Sequence, residues 1–143
     1  MPPSFLSPLH RASGRTADYL ESDAGEAGLT SREGHLLGYL GSHAPVPIGE
    51  LVRVFGIRQS TFTSMLDRVE RAGLVRREVN PADRRSFLVH LTDAGRELAG
   101  RMSERLAALE AEVRRRVSAR DIDGFHAVLR AVEDVANERR GKR

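Results

Sequence analysis

Cysteine is missing altogether from this chain, and so is tryptophan. Without thiols there is no disulfide frame, no cysteine nucleophile, no thiol-based redox sensor and no cysteine-type zinc site. Aromatic residues are scarce: two tyrosines and five phenylalanines in 143 residues, which argues against a rich aromatic pocket. Lysine is nearly absent too, since Lys142 is the only one among 23 basic residues. An arginine at any single site is therefore weak evidence by itself. No apolar run approaches the roughly 20 residues that cross a bilayer, and no basic-then-apolar leader opens the chain. A cytoplasmic protein without a membrane partner is the expectation. Nothing sets a nucleophile in a strained elbow or a glycine-rich loop over phosphates, so no catalytic residues, no cofactor and no enzyme are expected.

What is present is ordinary in bulk and informative in distribution. Hydrophobic content of 40% with 30% charged residues suits one folded, helix-rich domain with room for an oligomerisation extension. The net charge is +3. Residues 1–57 hold 4 basic and 6 acidic groups, 58–91 hold 7 and 4, and 92–143 hold 12 and 10. Positive charge is densest in the middle segment, as attraction to phosphate requires.

That segment also carries the clearest pattern. Phe62, Met65, Leu66 and Val69 recur at i, i+3, i+4, i+7, and Gly73 closes the helix they define. Ile48, Leu51, Val52 and Phe55 show the same spacing just before it, with Gly56 as the turn. Two short amphipathic helices joined by a glycine turn read as a helix-turn-helix. Strands are expected over Leu74–Val79 and Phe87–Leu91, where Phe87, Val89 and Leu91 alternate with Leu88 and His90. Asn80-Pro81-Ala82-Asp83 is turn chemistry, and Asp83, Arg84 and Arg85 are assigned to that turn. A polar-faced helix followed by a basic-tipped hairpin is the arrangement with which a winged helix grips two DNA grooves.

The flanks read as helices. One begins near Pro8 and runs to about Ser22, with a loop over Asp23–Gly28. Thr30 and Glu33 have capping-box spacing before Leu36, Leu37 and Leu40. Gly34, Gly38 and Gly41 share one side of this helix, which suits either close packing or mere drift. Thr92 caps a long helix to about Val117, with an apolar seam from Leu98 through Met102, Leu106, Leu109 and Val113. Ser118 and Asp121 cap a last helix through Ile122, Phe125, Leu129, Val132 and Val135. A winged helix alone does not need these outer apolar faces, so a second copy of the chain is their simplest partner. The Arg114-Arg115-Arg116 run reads as a solvated helix end, where cations complement the helix dipole. Arg139, Arg140, Lys142 and Arg143 read as a frayed tail.

The order of these pieces resembles the MarR family of bacterial winged-helix transcription regulators. The resemblance rests on Asn80-Pro81-Ala82-Asp83-Arg84-Arg85, with Asp83 and Arg85 on the family's D-x-R, and on Leu91, Thr92 and Gly95 in its L-T-x-x-G element. Met65 to Val75 is similar to the family's recognition-helix ending, and the similarity runs from about Leu29 to Gly95. It implies a mainly α fold with a small β-hairpin wing: a winged helix-turn-helix flanked by N- and C-terminal dimerisation helices. The implied divisions are 1–28 (N-terminal dimerisation helix and loop), 29–95 (DNA-binding domain) and 96–143 (C-terminal dimerisation helices). The implied function is a homodimeric regulator, most often a repressor, on a pseudo-palindromic site in double-stranded DNA.

On the polar side of the recognition helix lie Ser60, Ser64, Asp67 and Arg71, flanked by Gln59, Thr63 and Arg68. Gln59, Ser60, Thr61, Thr63, Ser64 and Arg68 are the expected major-groove contacts: the short hydroxyls let the helix sit deep, and Arg68 is long enough for guanine or backbone. Asp83, Arg84 and Arg85 are the expected wing contacts, with Arg85 in the minor groove and Asp83 fixing its direction. The resemblance also implies a small aromatic or anionic ligand, for which Arg15, Tyr19, His35 and Tyr39 are the candidates. Two other readings remain. One is a winged-helix protein-interaction module without specific DNA binding. The other is a metal-responsive regulator using some of His10, His35, His43, His90 and His126, although none of these shows the paired spacing of a zinc motif.

Overall fold

The computed structural model describes residues 4–140, the side chains of 21–24, 26 and 140 excepted. The expectations placed on Lys142 and Arg143 lie outside the described residues. Among those described, the chain runs α1 (Leu6–Glu26), α2 (Ser31–His43), β1 (Val46–Pro47), α3 (Ile48–Phe55), α4 (Gln59–Arg71), β2 (Val75–Asn80), β3 (Asp83–Leu91), α5 (Asp93–Arg114) and α6 (Ala119–Arg140). It is mainly α with a small antiparallel wing. By packing it divides into two units, Met1–Leu106 and Ala107–Arg143.

In the first unit the local signals act as their chemistry dictates. Thr30 Oγ1 accepts the Glu33 amide at 3.2 Å and Glu33 returns a carboxylate oxygen to the Thr30 amide at 2.9 Å, so the capping box of α2 is closed on both sides. Gly56 ends α3 with φ +61°, a left-handed turn that a side chain would strain. Leu36, Leu37, Leu51, Phe62, Leu66 and Val69 are all but completely buried and form the centre of the core. Each such side chain contributes about 1.5–3 kcal/mol by leaving water. Of the glycines on α2, Gly41 lies against Ala99, where a Cβ would come to 3.2 Å of that methyl, whereas Gly38 faces open space.

The sheet has the order β1-β3-β2. The two-residue β1, too short to leave a periodic signal, pairs Val46 with Val89 and Pro47 with Leu88. β2 and β3 pair from Val75↔Leu91 to Asn80↔Asp83, with a register shift between Val79 and Asn80.

Several boundaries differ from those expected. The turn is Pro81-Ala82 alone, so Asp83, Arg84 and Arg85 open β3; pairing of Asp83 with Asn80 carries the ladder right up to the turn. Phe87 was expected to share the buried face with Val89 and Leu91 but is 43% exposed, as is its cross-strand partner Val79 at 50%. The wing projects past the core there, leaving this pair nothing to pack on. α1 starts at Leu6, which puts Pro8 in the first turn where its missing N–H breaks no helical bond, and it continues to Glu26 through most of the expected loop. The packing boundary also falls later than residue 95, because Leu98, Ala99 and Met102 of α5 belong to the winged-helix core.

In the second unit, α5 stops at Arg114 rather than near Val117, and Arg116 donates its amide back to Val113 at 2.9 Å. Arg114 pairs with Glu110, while Arg115 and Arg116 pair with Glu112. The arginine run is a solvated, self-paired helix end. Ser118 and Asp121 close a second capping box at α6. Phe125, Val128 and Val135 remain 51%, 42% and 50% exposed on α6.

Candidate nucleic-acid interface

The recognition helix α4 owes its orientation to its apolar stripe. Phe62, Met65, Leu66 and Val69 are at most 2% exposed, which forces the remaining positions outward. Gln59, Ser60, Thr61, Thr63, Ser64 and Arg68 are all exposed. The helix opens at Arg58 without a side-chain cap and has no acidic residue in its first turn. The amides of Gln59, Ser60 and Thr61 therefore lack intrahelical partners at the positive end of the helix dipole. Ser64 Oγ donates to the Ser60 carbonyl at 3.1 Å, keeping its lone pairs outward.

The charged residues on this helix are engaged, two of them across the fold from where periodicity points them. Arg68 does not extend freely: its Nε donates to Glu33 Oε1 of α2 at 2.7 Å. Asp67, placed on the outer face by periodicity, is half-buried and accepts from Arg77 Nη2 at 2.7 Å.

Arg77 is the hub that sequence reading missed. From β2 it gives its backbone amide to Glu70 Oε1 at 3.0 Å and its Nε to Glu70 Oε2 at 2.9 Å, and its Nη2 also closes on Glu70. Hydrogen bonding to Glu70, with Asp67 adding to it against a smaller cost of burial, raises the Arg77 pKa above the ordinary arginine value. The wing is thus tied to the reading helix through ion pairs as well as through the shared core. No local pattern marks Arg77; a basic residue on a strand beside an acidic helix end was the available clue.

At the hairpin, Asn80 Oδ1 accepts the Ala82 amide at 3.0 Å, an Asx turn. Asp83 Oδ1 accepts the Arg85 amide at 3.1 Å and lies 3.5 Å from Arg85 Nε. The Arg85 side chain is 94% exposed, so Asp83 steers its base while the guanidinium stands in solvent beside Arg84.

The four residues considered for a ligand fall into two groups. His35 meets Phe55 at 5.1 Å between ring centroids, and Tyr39 stacks on His43 at 4.1 Å while meeting Phe55 edge-on at 6.2 Å. The Tyr39 hydroxyl points at Glu50, 3.5 Å away. Tyr19 instead lies on α1 under the Arg105 guanidinium, 4.9 Å from its ring centroid, and Arg15 is exposed on the same helix. Among the described residues no hydrogen bond or ring contact links the two groups, and no three His, Asp or Glu side chains converge to hold a metal.

Residues 27–86 match the MarR family model. The chain is 34% identical over 108 residues to the transcriptional regulator PecS of Dickeya dadantii, covering 73% of this chain and 65% of that protein. It is 30% identical over 94 residues to the transcriptional repressor NicR of Pseudomonas putida, covering 66% and 60%. The matches thus span somewhat under two thirds of these relatives' length. The fold superposes on S. aureus MepR in its DNA complex with a TM-score of 0.79, 19% identity, and coverage of 93% of this chain and 98% of that one. No helix among the described residues is long and apolar enough to cross a membrane. The segment that holds the helix-turn-helix and the Asp83–Arg85 wing, residues 27–86, is thus matched to the MarR family in sequence, and the fold is that of the MepR structure.

Proposed function

We propose that the protein is a sequence-specific regulator of transcription, most simply a repressor, that binds double-stranded DNA as a homodimer. The observation that carries this reading is the pairing of an exposed hydroxyl- and amide-bearing face on α4 with an exposed Arg84–Arg85 pair on β3, whose partner strand β2 is tied to α4 by Arg77. Gln59, Ser60, Thr61, Thr63, Ser64 and Arg68 read the major groove, and the open amides at the start of α4 receive a phosphate. Arg84 and Arg85 enter the adjacent minor groove, whose negative potential favours guanidinium, with Asp83 aiming Arg85.

Dimerisation supplies two such heads for a pseudo-palindromic site. The exposed Phe5 just before α1 and Leu6 at its start and, in the other unit, Phe125, Val128 and Val135 on α6 are apolar side chains a second copy would cover. A small aromatic or anionic ligand, if it regulates binding, would sit against His35, Tyr39 and Phe55, with Arg15 and Tyr19 contributing only through a rearrangement of α1. The role is binding rather than catalysis, within the cytoplasm.

The test is a fluorescence-anisotropy titration on the promoter of the protein's own gene and on a scrambled duplex, over a range of salt. Tight, salt-dependent preference for the promoter supports the reading. Equal weak binding to both duplexes at every salt concentration argues instead for a protein-interaction module. Sedimentation of a folded monomer at micromolar concentration would remove the dimer.

A further inference from the structure

Glu33 is the one charged residue buried among those described, at 3% exposure. It lies in the first turn of α2, and both of its carboxylate oxygens are engaged. Oε2 accepts the Thr30 amide at 2.9 Å and Oε1 accepts Arg68 Nε at 2.7 Å. Thr30 Oγ1 holds the Glu33 amide in return at 3.2 Å. The carboxylate therefore cannot turn without opening the cap. Arg68, by contrast, remains 57% exposed on the outer side of α4, within the set Gln59, Ser60, Thr63 and Ser64.

We infer that Glu33 is a positioning residue for the reading helix: by holding Arg68 at Nε, it presents the terminal Nη pair of the guanidinium to the edge of a base or to a phosphate. The inference rests on the DNA-binding reading above. An arginine loose on a helix surface must lose rotamer freedom when it grips DNA. An arginine already gripped at Nε loses less, and its planar fork is aimed. The carboxylate itself is buried and paired, so its repulsion of phosphate is muted. The arrangement also links the N-cap of α2 to the reading face, so that a displacement of that helix end is felt at Arg68.

The test compares binding of Glu33→Gln, Arg68→Ala and the double variant to the promoter duplex and to the scrambled duplex at one salt concentration. Simple electrostatics predicts that removing a negative charge tightens DNA binding. Positioning predicts the opposite on the promoter alone: Glu33→Gln and Arg68→Ala each weaken it about tenfold, the scale of losing one good groove contact. The double variant is then no weaker than Arg68→Ala, and Glu33→Gln binds the scrambled duplex at least as well as the wild type. Promoter affinity of Glu33→Gln equal to or above wild type overturns the inference, as does wild-type affinity in Arg68→Ala. A loss shared equally by both duplexes also overturns it, since that marks a merely structural tie. If Glu33→Gln does not fold by its thermal melt, Arg68→Lys replaces it, because lysine keeps the charge but not the fork. The expected result is then loss on the promoter with scrambled binding retained, and wild-type promoter affinity overturns the claim. Failure of the DNA-binding reading looks different, because there the wild type itself shows no preference for the promoter.

Discussion

Arg77 closes on Glu70 from two directions, through its backbone amide at 3.0 Å and its guanidinium Nε at 2.9 Å. One carboxylate thereby joins the last turns of the recognition helix to the strand that begins the wing, and Asp67 adds a second anchor one helical turn earlier. Arg77→Ala removes the guanidinium from both acids, and Glu70 keeps only the backbone amide. The expected cost is about 1–2 kcal/mol, the scale of hydrogen bonds to charged groups discounted for partial exposure. Urea denaturation checks it, and an unchanged midpoint would show the network to be surface decoration. The pairing raises the folded-state pKa of Arg77, so its contribution is complete below the ordinary arginine pKa and is lost only as pH rises through the still higher folded value. It should therefore be constant through the neutral range.

Arg85 is held at its base by Asp83 and is otherwise in solvent. Arg85→Ala is expected to weaken promoter binding by about 1–3 kcal/mol with little effect on stability. Asp83→Ala frees the arginine without removing its charge, so it should reduce preference for the promoter more than it reduces binding to scrambled duplex. Anisotropy titrations with thermal melts alongside distinguish the two. Undiminished promoter affinity in Arg85→Ala would count against the wing as a reading element.

Gly95 lies where α5 leaves the sheet, and a Cβ there would stand 1.9 Å from the Leu74 carbonyl oxygen. That oxygen already accepts the Thr92 amide at 3.1 Å, while Thr92 Oγ1 donates to the Gly73 carbonyl at 2.6 Å and accepts the Gly95 amide at 3.0 Å. The backbone cannot yield without opening this knot. Gly95→Ala is expected to destabilise the fold by about 3 kcal/mol or more, at the upper end of overpacking effects. A near-wild-type melting temperature would contradict the close approach.

At the start of α6, hydrogen bonds from the Ser118 hydroxyl and backbone amide hold the Asp121 pKa below the ordinary aspartate value. A depressed folded pKa contributes stability that is present above the unfolded value and is lost as pH falls through the folded one. Fraying of the first turn of α6 is therefore expected only in acid. Ser118→Ala should return the Asp121 titration toward the ordinary value, as followed by carboxyl NMR shifts. No movement in that variant would mean that the cap is not formed in solution.

The helices around the reading head were legible in sequence because what specifies them is local. An apolar stripe at i, i+3, i+4, i+7, a Thr30–Glu33 or Ser118–Asp121 box, and a glycine after the last turn all act within four or five residues. The same locality explains why the outer positions of α4 could be named: burying Phe62, Met65, Leu66 and Val69 leaves only one side for Ser60 and Thr63. What tertiary structure decided is which charges are committed. Arg68 meets Glu33 across 35 positions and Arg77 meets Asp67 across 10, pairings that no spacing rule anticipates because they depend on how α2, α4 and β2 come together. The hairpin register decided that Asp83 and Arg85 stand on a strand rather than in the turn, and the reach of the wing beyond the core decided that Phe87 stays exposed. Periodicity tells a side chain which way to face, but only the packed neighbours determine what it finds there.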